Sequence, residues 1–186
     1  YPNTPVINNE SINKNELPTV AINSRAKLLG GLLADEYSSN FGLSGSGQDV
    51  SIMRSTLIQT GVMRDVDTAP ALVIHPEDEN IYHMLSVITG FFKSAVTDNG
   101  SSFSDLYEAL TKPGVQGIGL KRGVIPIYIA AVLHEIKKNI VITSNGQEMK
   151  LSADLLNSIN ENPAGFSAIF VAWNDEKLQY MSELES

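Results

Sequence analysis

The residue types that most often carry chemistry are few in this chain, and their spacing does not form a known site. The chain has no cysteine, which excludes disulfides, thiolate zinc sites, iron–sulfur ligation and cysteine nucleophiles. Its three histidines, His75, His83 and His134, include no pair spaced to place two imidazoles on one helical face. The serines stand in no nucleophile-elbow motif. We therefore predict no catalytic and no metal-binding residue.

Two glycine-rich stretches are the places where a phosphate group could bind. The first, residues 42–48, reads GLSGSGQ. A P-loop needs Lys and then Ser or Thr after its last glycine, because the ammonium reaches the outer phosphates and the hydroxyl holds magnesium. Gln48 and Asp49 stand there instead, so we predict a connecting loop and no bound cofactor. The second stretch, residues 114–123, carries Lys121 and Arg122 just before a helix; an anion could bind there, but a tight turn with a solvated basic pair is the simpler interpretation.

The elements that must position these residues are mostly helices. Apolar residues at three- and four-residue spacing predict helices over about residues 20–37, 49–60, 76–97, 104–111, 124–138 and 152–160. Short apolar or β-branched runs predict strands over about residues 140–143, 147–151 and 166–173, and residues 71–74 are predicted to be a short strand or an anchored loop. Residues 175–185 are predicted to be a polar helix or a frayed end.

The order of these elements predicts the fold class. Asn145-Gly146 predicts a hairpin, because a type I′ turn needs positive φ at both central residues. From Pro76 to Leu151 the order is helix, helix, helix, hairpin, which is that of a winged-helix domain. We predict a mainly α (α+β) fold: a helical domain with a winged-helix-like C-terminal part and a small antiparallel sheet. The predicted division is an N-terminal linker and helical subdomain, 1–70, and a winged-helix-like subdomain with the C-terminal hairpin and strand, 71–186.

Five basic residues flank the third helix of the winged-helix-like part and its hairpin. They are the candidate contacts to phosphate or DNA: Lys121, Arg122, Lys137, Lys138 and Lys150. In a DNA-reading domain the third helix enters the major groove and shows polar and basic side chains. Here residues 124–133 are apolar almost all round, which is typical of a core helix. Nucleic-acid binding is therefore predicted to be weak, and protein packing is favoured.

Composition sets the context. The hydrophobic fraction of 42% and charged fraction of 18% predict a globular chain with a core. The net charge of −8 opposes nonspecific binding to nucleic acid, and no apolar run is long enough to span a bilayer. We predict that the chain is cytoplasmic and that it does not contact a membrane. The chain begins at Tyr1 rather than Met, which indicates either removal of a leader by processing or a piece of a longer protein, and we expect the second.

Two segments of the chain match short signatures. Residues 4–14, TPVINNESINK, resemble a P-x-I-x-N-E-x-I-N signature, and Ser24-Arg25-Ala26 follows on a helix. Residues 103–128, FSDLYEALTKPGVQGIGLKRGVIPIY, resemble a signature that ends in L-R-x-G-V-I-P-L. Together the two segments resemble a region downstream of the nucleotide-binding core in large prokaryotic P-loop ATPases associated with phage defence, the bacteriophage-exclusion type. Residues 113–119 are longer than the turn of the family, and the ATPase core is not in this sequence. The resemblance implies a segment that binds no ATP itself and transmits or receives the work of an ATPase.

Three functions remain as hypotheses. The first is a non-catalytic accessory, regulatory or protein-interaction domain of a larger cytoplasmic ATPase, with other domains of the parent protein or separate proteins as partners. The second is a winged-helix DNA-binding regulator, which would need a basic face on the folded surface. The third is a small enzyme, which would need a deep pocket lined by convergent polar groups.

Overall fold

The computed structural model describes residues 2–96, 99–114 and 117–171 of the chain. Its described part holds six α-helices, a two-stranded sheet and a four-stranded antiparallel sheet, so the predicted α+β fold is confirmed. The helices are α1 Thr19–Leu33, α2 Gln48–Met53, α3 Glu79–Lys93, α4 Phe103–Thr111, α5 Ile125–Ile136 and α6 Ala153–Glu161. The strands are β1 Met63–Arg64, β2 Ala71–Leu72, β3 Ser101–Ser102, β4 Ile140–Ser144, β5 Gln147–Met149 and β6 Ser167–Phe170.

Helix α1 ends at Leu33, four residues before the predicted end at residue 37. Its buried face is also rotated from the predicted one, because Val20 is 69% exposed whereas Ala21 and Arg25 are buried. The buried positions Ala21, Arg25, Leu28 and Leu32 recur at three- and four-residue spacing and form one stripe. Arginine thus occupies a place in the stripe where an apolar residue is the usual choice.

Helix α2 continues into a π-helical turn, Arg54–Ile58. This turn is closed by the N–H of Gln59, which donates to the carbonyl of Arg54 at 2.9 Å. A π turn adds a residue to the repeat and rotates everything after it about the helix axis. Ile58 was predicted to face inward and is 42% exposed, whereas Thr56 is completely buried. Hydrophobic spacing alone could not show this change of register.

The hairpin prediction is confirmed. Asn145 and Gly146 both have positive φ, 53° and 76°, and Ser144 pairs with Gln147 across the turn. Ser152 caps α6 as predicted, since its Oγ accepts from the N–H of Leu155 at 3.1 Å. Strand β3 was not predicted, because two serines carry no strand signal and gain this conformation by pairing with β6.

Strand β6 lies inside the sheet, whose order is β3-β6-β4-β5. The succession α3, β3, α4, α5, β4, β5 is winged-helix-like, with α6 and β6 added after the hairpin. Helices α1, α3 and α6 all pack against α5, and one buried cluster takes in residues from Ile7 to Ala168. The core is therefore continuous across residue 70, where the sequence suggested a division; that division stays a prediction.

Helix α3 ends at Lys93, four residues before the predicted end at residue 97, and β6 ends at Phe170, three residues before the predicted end at residue 173. The predicted C-terminal segment, residues 175–185, lies outside the described residues. In the part of the chain that the structure describes, no helix is long and apolar enough to cross a bilayer.

Candidate functional site

The five predicted basic residues fall into two groups at opposite ends of α5. Lys121 and Arg122 precede the helix, and Lys137 and Lys138 follow it. Twelve helical residues at 1.5 Å rise separate the two pairs by about 18 Å. The hairpin register, which pairs Met149 with Ile142, returns Lys150 toward the start of β4 and so toward the second group.

Arg122 and Lys137 are bound by the chain itself. The Nη2 of Arg122 donates to the carbonyl of Asn160, and its Cζ lies 5.3 Å from the centre of the Tyr107 ring. The Nζ of Lys137 donates to the carbonyls of Leu33, at 2.9 Å, and Ala34, at 3.0 Å. Lys137 therefore stabilises the negative end of the α1 dipole. Lys121, Lys138 and Lys150 are the three exposed members of the set.

The two segments that carry the family resemblance lie against each other in the fold. The N–H of Gly123 donates to the carbonyl of Lys14 at 2.9 Å, and the Oγ1 of Thr4 donates to the carbonyl of Ile118 at 2.6 Å. Glycine is required at 123, because a Cβ there would overlap the carbonyl oxygens of Ile12 and Lys14. The N-terminal segment is thus a strap that holds the turn before α5.

The N-terminus of α5 does not present open amide groups to an anion. The N–H groups of residues 122–125 and 127 each donate to an oxygen within the chain, and Pro126 has no N–H. For Arg122 that oxygen is the side-chain Oδ1 of Asn15, at 3.1 Å. A phosphate cradle needs several converging backbone donors. The simpler interpretation of the second glycine-rich stretch, a tight turn, is the one that these contacts favour.

Arg25 is a buried clamp that the sequence reasoning missed. It is 1% exposed; its Nη1 donates to the carbonyl of Gly123 at 2.9 Å, and its Nη2 donates to Oδ1 of Asn157 at 2.6 Å. No carboxylate forms an ion pair with it among the described residues, and its Nε has no hydrogen-bond partner there. Burial lowers the pKa of Arg25, against the opposing influence of Tyr107 and Glu161. Its place in the apolar stripe of α1 was the available signal.

Tyr107 joins the same polar region from α4. Its hydroxyl donates to Oδ1 of Asn160 at 2.7 Å. Burial raises the pKa of Tyr107 well above its usual range, and the Arg122 and Arg25 guanidinium groups oppose that rise only in part. The phenol therefore stays neutral, and it acts as a fixed donor that ties α4 to α6.

Two shallow polar clefts lie on either side of Arg122. One, of about 430 Å³, is bordered by Asn15, Thr111 and the turn 119–122. The other, of about 380 Å³, is bordered by Asn15, Arg122 and the end of α6 at Glu161. Because Arg122 already binds Asn160 and Tyr107, the clefts contain one exposed cation, Lys121, and no converging set of catalytic groups among the described residues.

A larger cavity, the apolar groove, opens near the other end of α5. Its volume is about 680 Å³. It is lined by residues 71–74, by the stripe of α3 that runs from Tyr82 through Leu85 and Thr89 to Lys93, and by Val132, Glu135 and Ile136 of α5. Ile74 at its edge is 90% exposed, and Tyr82 is 38% exposed. No polar motif of the sequence marked this surface.

The three histidines have different surroundings. His75 stacks on Tyr82 with ring centres 4.0 Å apart, His134 stacks on Tyr37 at 3.7 Å, and His83 is exposed on α3. Within residues 2–96, 99–114 and 117–171, no group of three or more His, Asp or Glu residues could hold a metal ion.

The described surface thus offers a polar end of α5, bound by its own chain, and an apolar groove at the other end. The proposed function therefore rests on these two features. Comparison of the chain with the profiles of known families, with curated proteins and with solved structures finds no significant match.

Proposed function

We propose that this chain is a non-catalytic accessory domain of a larger cytoplasmic P-loop ATPase, and that its winged-helix-like part packs against protein rather than reading DNA. The observation that carries the proposal is the burial of α5. Every residue from Ile125 to Leu133 is buried. A helix that reads the major groove has to present side chains to base edges.

The cause of this burial is the N-terminal helix. Helix α1 packs along α5, with the Nδ1 of His134 3.1 Å from the carbonyl of Leu32 and Lys137 bound to the end of α1. Helix α6 and helix α3 cover further faces. The position that a recognition helix would need is therefore filled by the same chain, and α5 serves as the central core helix.

Charge supports the same proposal. The net charge is −8, and two of the five candidate basic residues already bind carbonyl oxygens of the chain. Neutralised phosphates are the main source of affinity for DNA. Three exposed lysines divided between two ends of a helix provide a weak, sequence-independent attraction at most.

The link to an ATPase rests on the resemblance of residues 4–14 and 103–128. Their mutual contacts, through Gly123 and Lys14 and through Thr4 and Ile118, support treating the two segments as one structural unit. The complete reading frame tests this part. We expect it to encode a strand–GxxxxGK[ST]–helix unit, and a frame without one would contradict the link.

Fluorescence anisotropy on two unrelated DNA duplexes tests the non-DNA role. We expect no saturable binding at moderate salt, and any binding at low salt should be equal for the two duplexes and fade steeply as salt rises. Charge reversal at Lys121 and Lys150 should abolish that residual binding. Tight binding to one duplex at moderate salt would instead favour the winged-helix DNA-binding regulator.

Calorimetric titration with magnesium-ATP tests the absence of a nucleotide site. We expect no binding heat, because Gln48 and Asp49 replace the P-loop Lys-Ser/Thr pair. In addition, the backbone N–H groups of the turn before α5 already donate to carbonyls of the same chain. Micromolar affinity would overturn this expectation and return the small-enzyme hypothesis.

A further inference from the structure

We propose that two copies of this chain bind each other through the exposed face of α3 that borders the apolar groove, as a two-fold symmetric dimer. The inference goes beyond the proposed function and does not depend on it. It rests on the spacing of the residues on that face, on their charges and on the open space beside one of them. In this dimer the two α3 helices run antiparallel and cross at Ser86.

The exposed residues of α3 beside the groove, the symmetric face, are evenly arranged about the middle of the helix. They are Glu79, Tyr82, Ser86, Gly90 and Lys93, at intervals of three, four, four and three residues. All five are exposed, and the last four line the apolar groove. Intervals of three and four place them on one side of the helix. Because the intervals are the same from either end, an antiparallel copy that crosses at Ser86 places each member opposite a member of the first copy.

The opposed members match in shape. Tyr82 and Gly90 each lie four residues from Ser86, so the crossing places the ring of one copy opposite the glycine of the other, twice. A Cβ added at Gly90 would meet no described atom within 4 Å, apart from its chain neighbours and its own helix backbone. Ser86 is small, and its hydroxyl already donates to the carbonyl of Tyr82 at 2.8 Å, so it remains hydrogen-bonded when the crossing buries it. Each exposed ring thus has open space to enter on the other copy.

The charges at the two ends of the symmetric face also match. Glu79 lies in the first turn of α3 and Lys93 in the last, and each is seven residues from Ser86. An antiparallel crossing therefore places each carboxylate opposite an ammonium of the second copy, whereas a parallel one would bring like charges together. Neither Glu79 nor Lys93 forms an ion pair among the described residues. Both are therefore available to a partner.

The carboxylates around this face favour the same arrangement. Glu135 of α5 is exposed and lines the groove together with Lys93, so it adds to the attraction for the Lys93 ammonium of either copy. Glu77 and Asp78 directly precede Glu79 and make the start of α3 more acidic, although Asp78 is also the N-cap of the helix. The face is therefore acidic at one end and basic at the other.

The cations of the neighbouring elements do not replace Lys93 in this role. Arg64 of β1 forms an ion pair with Asp65 at 3.4 Å, and Lys138 follows the groove residue Ile136 by two positions without lining the groove. Among the described residues that line the groove, Lys93 is the only cation. Reversal of its charge therefore tests the pairing directly.

The groove supplies the apolar surface of the interface. Its volume is about 680 Å³, and Ile74 at its edge is 90% exposed. Contiguous exposed apolar surface marks a place where another molecule binds. A two-fold interface uses the same surface on both copies and has to be complementary to itself. This face carries both the ring and the open space, and both the carboxylate and the ammonium, which favours a second copy over an unrelated protein.

Charge reversal at the two ends of the symmetric face tests the dimer by sedimentation. The net charge of −8 makes two copies repel, so the measurement is made at physiological ionic strength, where charges more than about 8 Å apart are largely screened. We expect a monomer–dimer equilibrium for the complete chain. Glu79→Lys and Lys93→Glu should each weaken it about tenfold or more, because each change turns two attractions into two repulsions.

Two matched controls change the net charge by the same amounts. Lys27→Glu on α1 and Glu108→Lys on α4 are reversals at exposed positions that do not line the groove. They should leave the dimer unchanged within about twofold, since they alter only the screened long-range repulsion. Circular dichroism verifies that all four variants are folded.

Mixing the two face variants gives the decisive measurement. The Glu79→Lys copy carries lysine at both ends of the symmetric face, and the Lys93→Glu copy carries glutamate at both ends. All opposed pairs are then attractive only between unlike copies, so we expect the equal mixture to form a heterodimer more tightly than either variant dimerises alone. A complete chain that stays monomeric at the highest attainable concentration would overturn the proposal. So would face variants that dimerise as tightly as the unchanged chain, or a mixture no tighter than its separate components.

Discussion

The two ends of helix α5 show opposite ways of treating polar and apolar groups. At the N-terminal end, Arg25 and Arg122 donate to backbone carbonyls, Arg122 also lies over an aromatic ring, and Asn15 accepts from a backbone N–H. The polar groups at this end are therefore hydrogen-bonded within the chain. At the C-terminal end, Lys137 donates to the last carbonyls of α1. The apolar groove lies beside it and is open among the described residues.

This contrast shows why residue type alone misplaces a functional surface. A cluster of cations suggests a binding site, yet Arg25 and Arg122 serve as connectors between α1, α4 and α6. An apolar stripe suggests core, yet Tyr82 and Ile74 remain exposed. Buried polar groups must find partners, and in this fold the nearest partners are backbone carbonyls.

The largest expected effect is at the polar end, in Arg25→Ala. The substitution removes the donors of Gly123 O and Asn157 Oδ1 and leaves a cavity, so we expect the free energy of unfolding to fall by about 4 kcal/mol. Denaturant titration measures this fall. Arg54→Ala, at an exposed arginine, is the control and should change stability by less than about 0.5 kcal/mol. Equal effects of the two substitutions would mean that Arg25 is no clamp.

Two glycines, one at each end, should respond to alanine in opposite directions. At 123 a methyl group collides with the strap carbonyls of Ile12 and Lys14, and we expect a loss of about 2 kcal/mol. At 90, in α3 beside the groove, no described atom lies within 4 Å of the added Cβ, and helix propensity should stabilise by about 1 kcal/mol. Thermal unfolding of both variants measures the difference. A destabilising Gly90→Ala would contradict the open space beside this glycine.

Two tyrosines whose hydroxyl groups are buried give a smaller, paired test. Tyr107→Phe leaves Oδ1 of Asn160 without its donor and should cost about 1.5 kcal/mol. The Tyr37 hydroxyl, near the other end of α5, is buried without a hydrogen-bond partner among the described residues, so Tyr37→Phe should be neutral or slightly stabilising. Chemical denaturation of the two variants compares them. A similar cost for both would show that the hydroxyl bond is not what matters at Tyr107.

Alkaline pH extends the same test. Burial raises the pKa of both Tyr37 and Tyr107. A pKa higher in the folded state means that the unfolded chain loses its proton first, so the stabilising contribution is complete below about pH 10 and is lost as the pH rises above it. In each Phe variant, the fall of the unfolding free energy with pH should become less steep by up to about 1.4 kcal/mol per pH unit. An unchanged slope would contradict the burial of the phenol.

The elements that local chemistry specifies were predictable from the sequence. Asn145-Gly146 determined the hairpin because few other residues adopt two successive positive φ values. Ser152 determined the start of α6, and the apolar run of residues 125–133 indicated a core helix. Each of these signals acts over a few residues and is read directly from residue type.

Other features were decided only by tertiary structure, because they depend on residues distant in the chain. Strand β3 exists through its pairing with β6, and Ile58 faces solvent because a π turn rotates the end of α2. Arg25 is a clamp because the carbonyl of Gly123, far along the sequence, meets it inside the fold. Helix α5 became a core helix on every side only when α1 packed on it, since hydrophobic spacing shows that a face is buried but not what covers it.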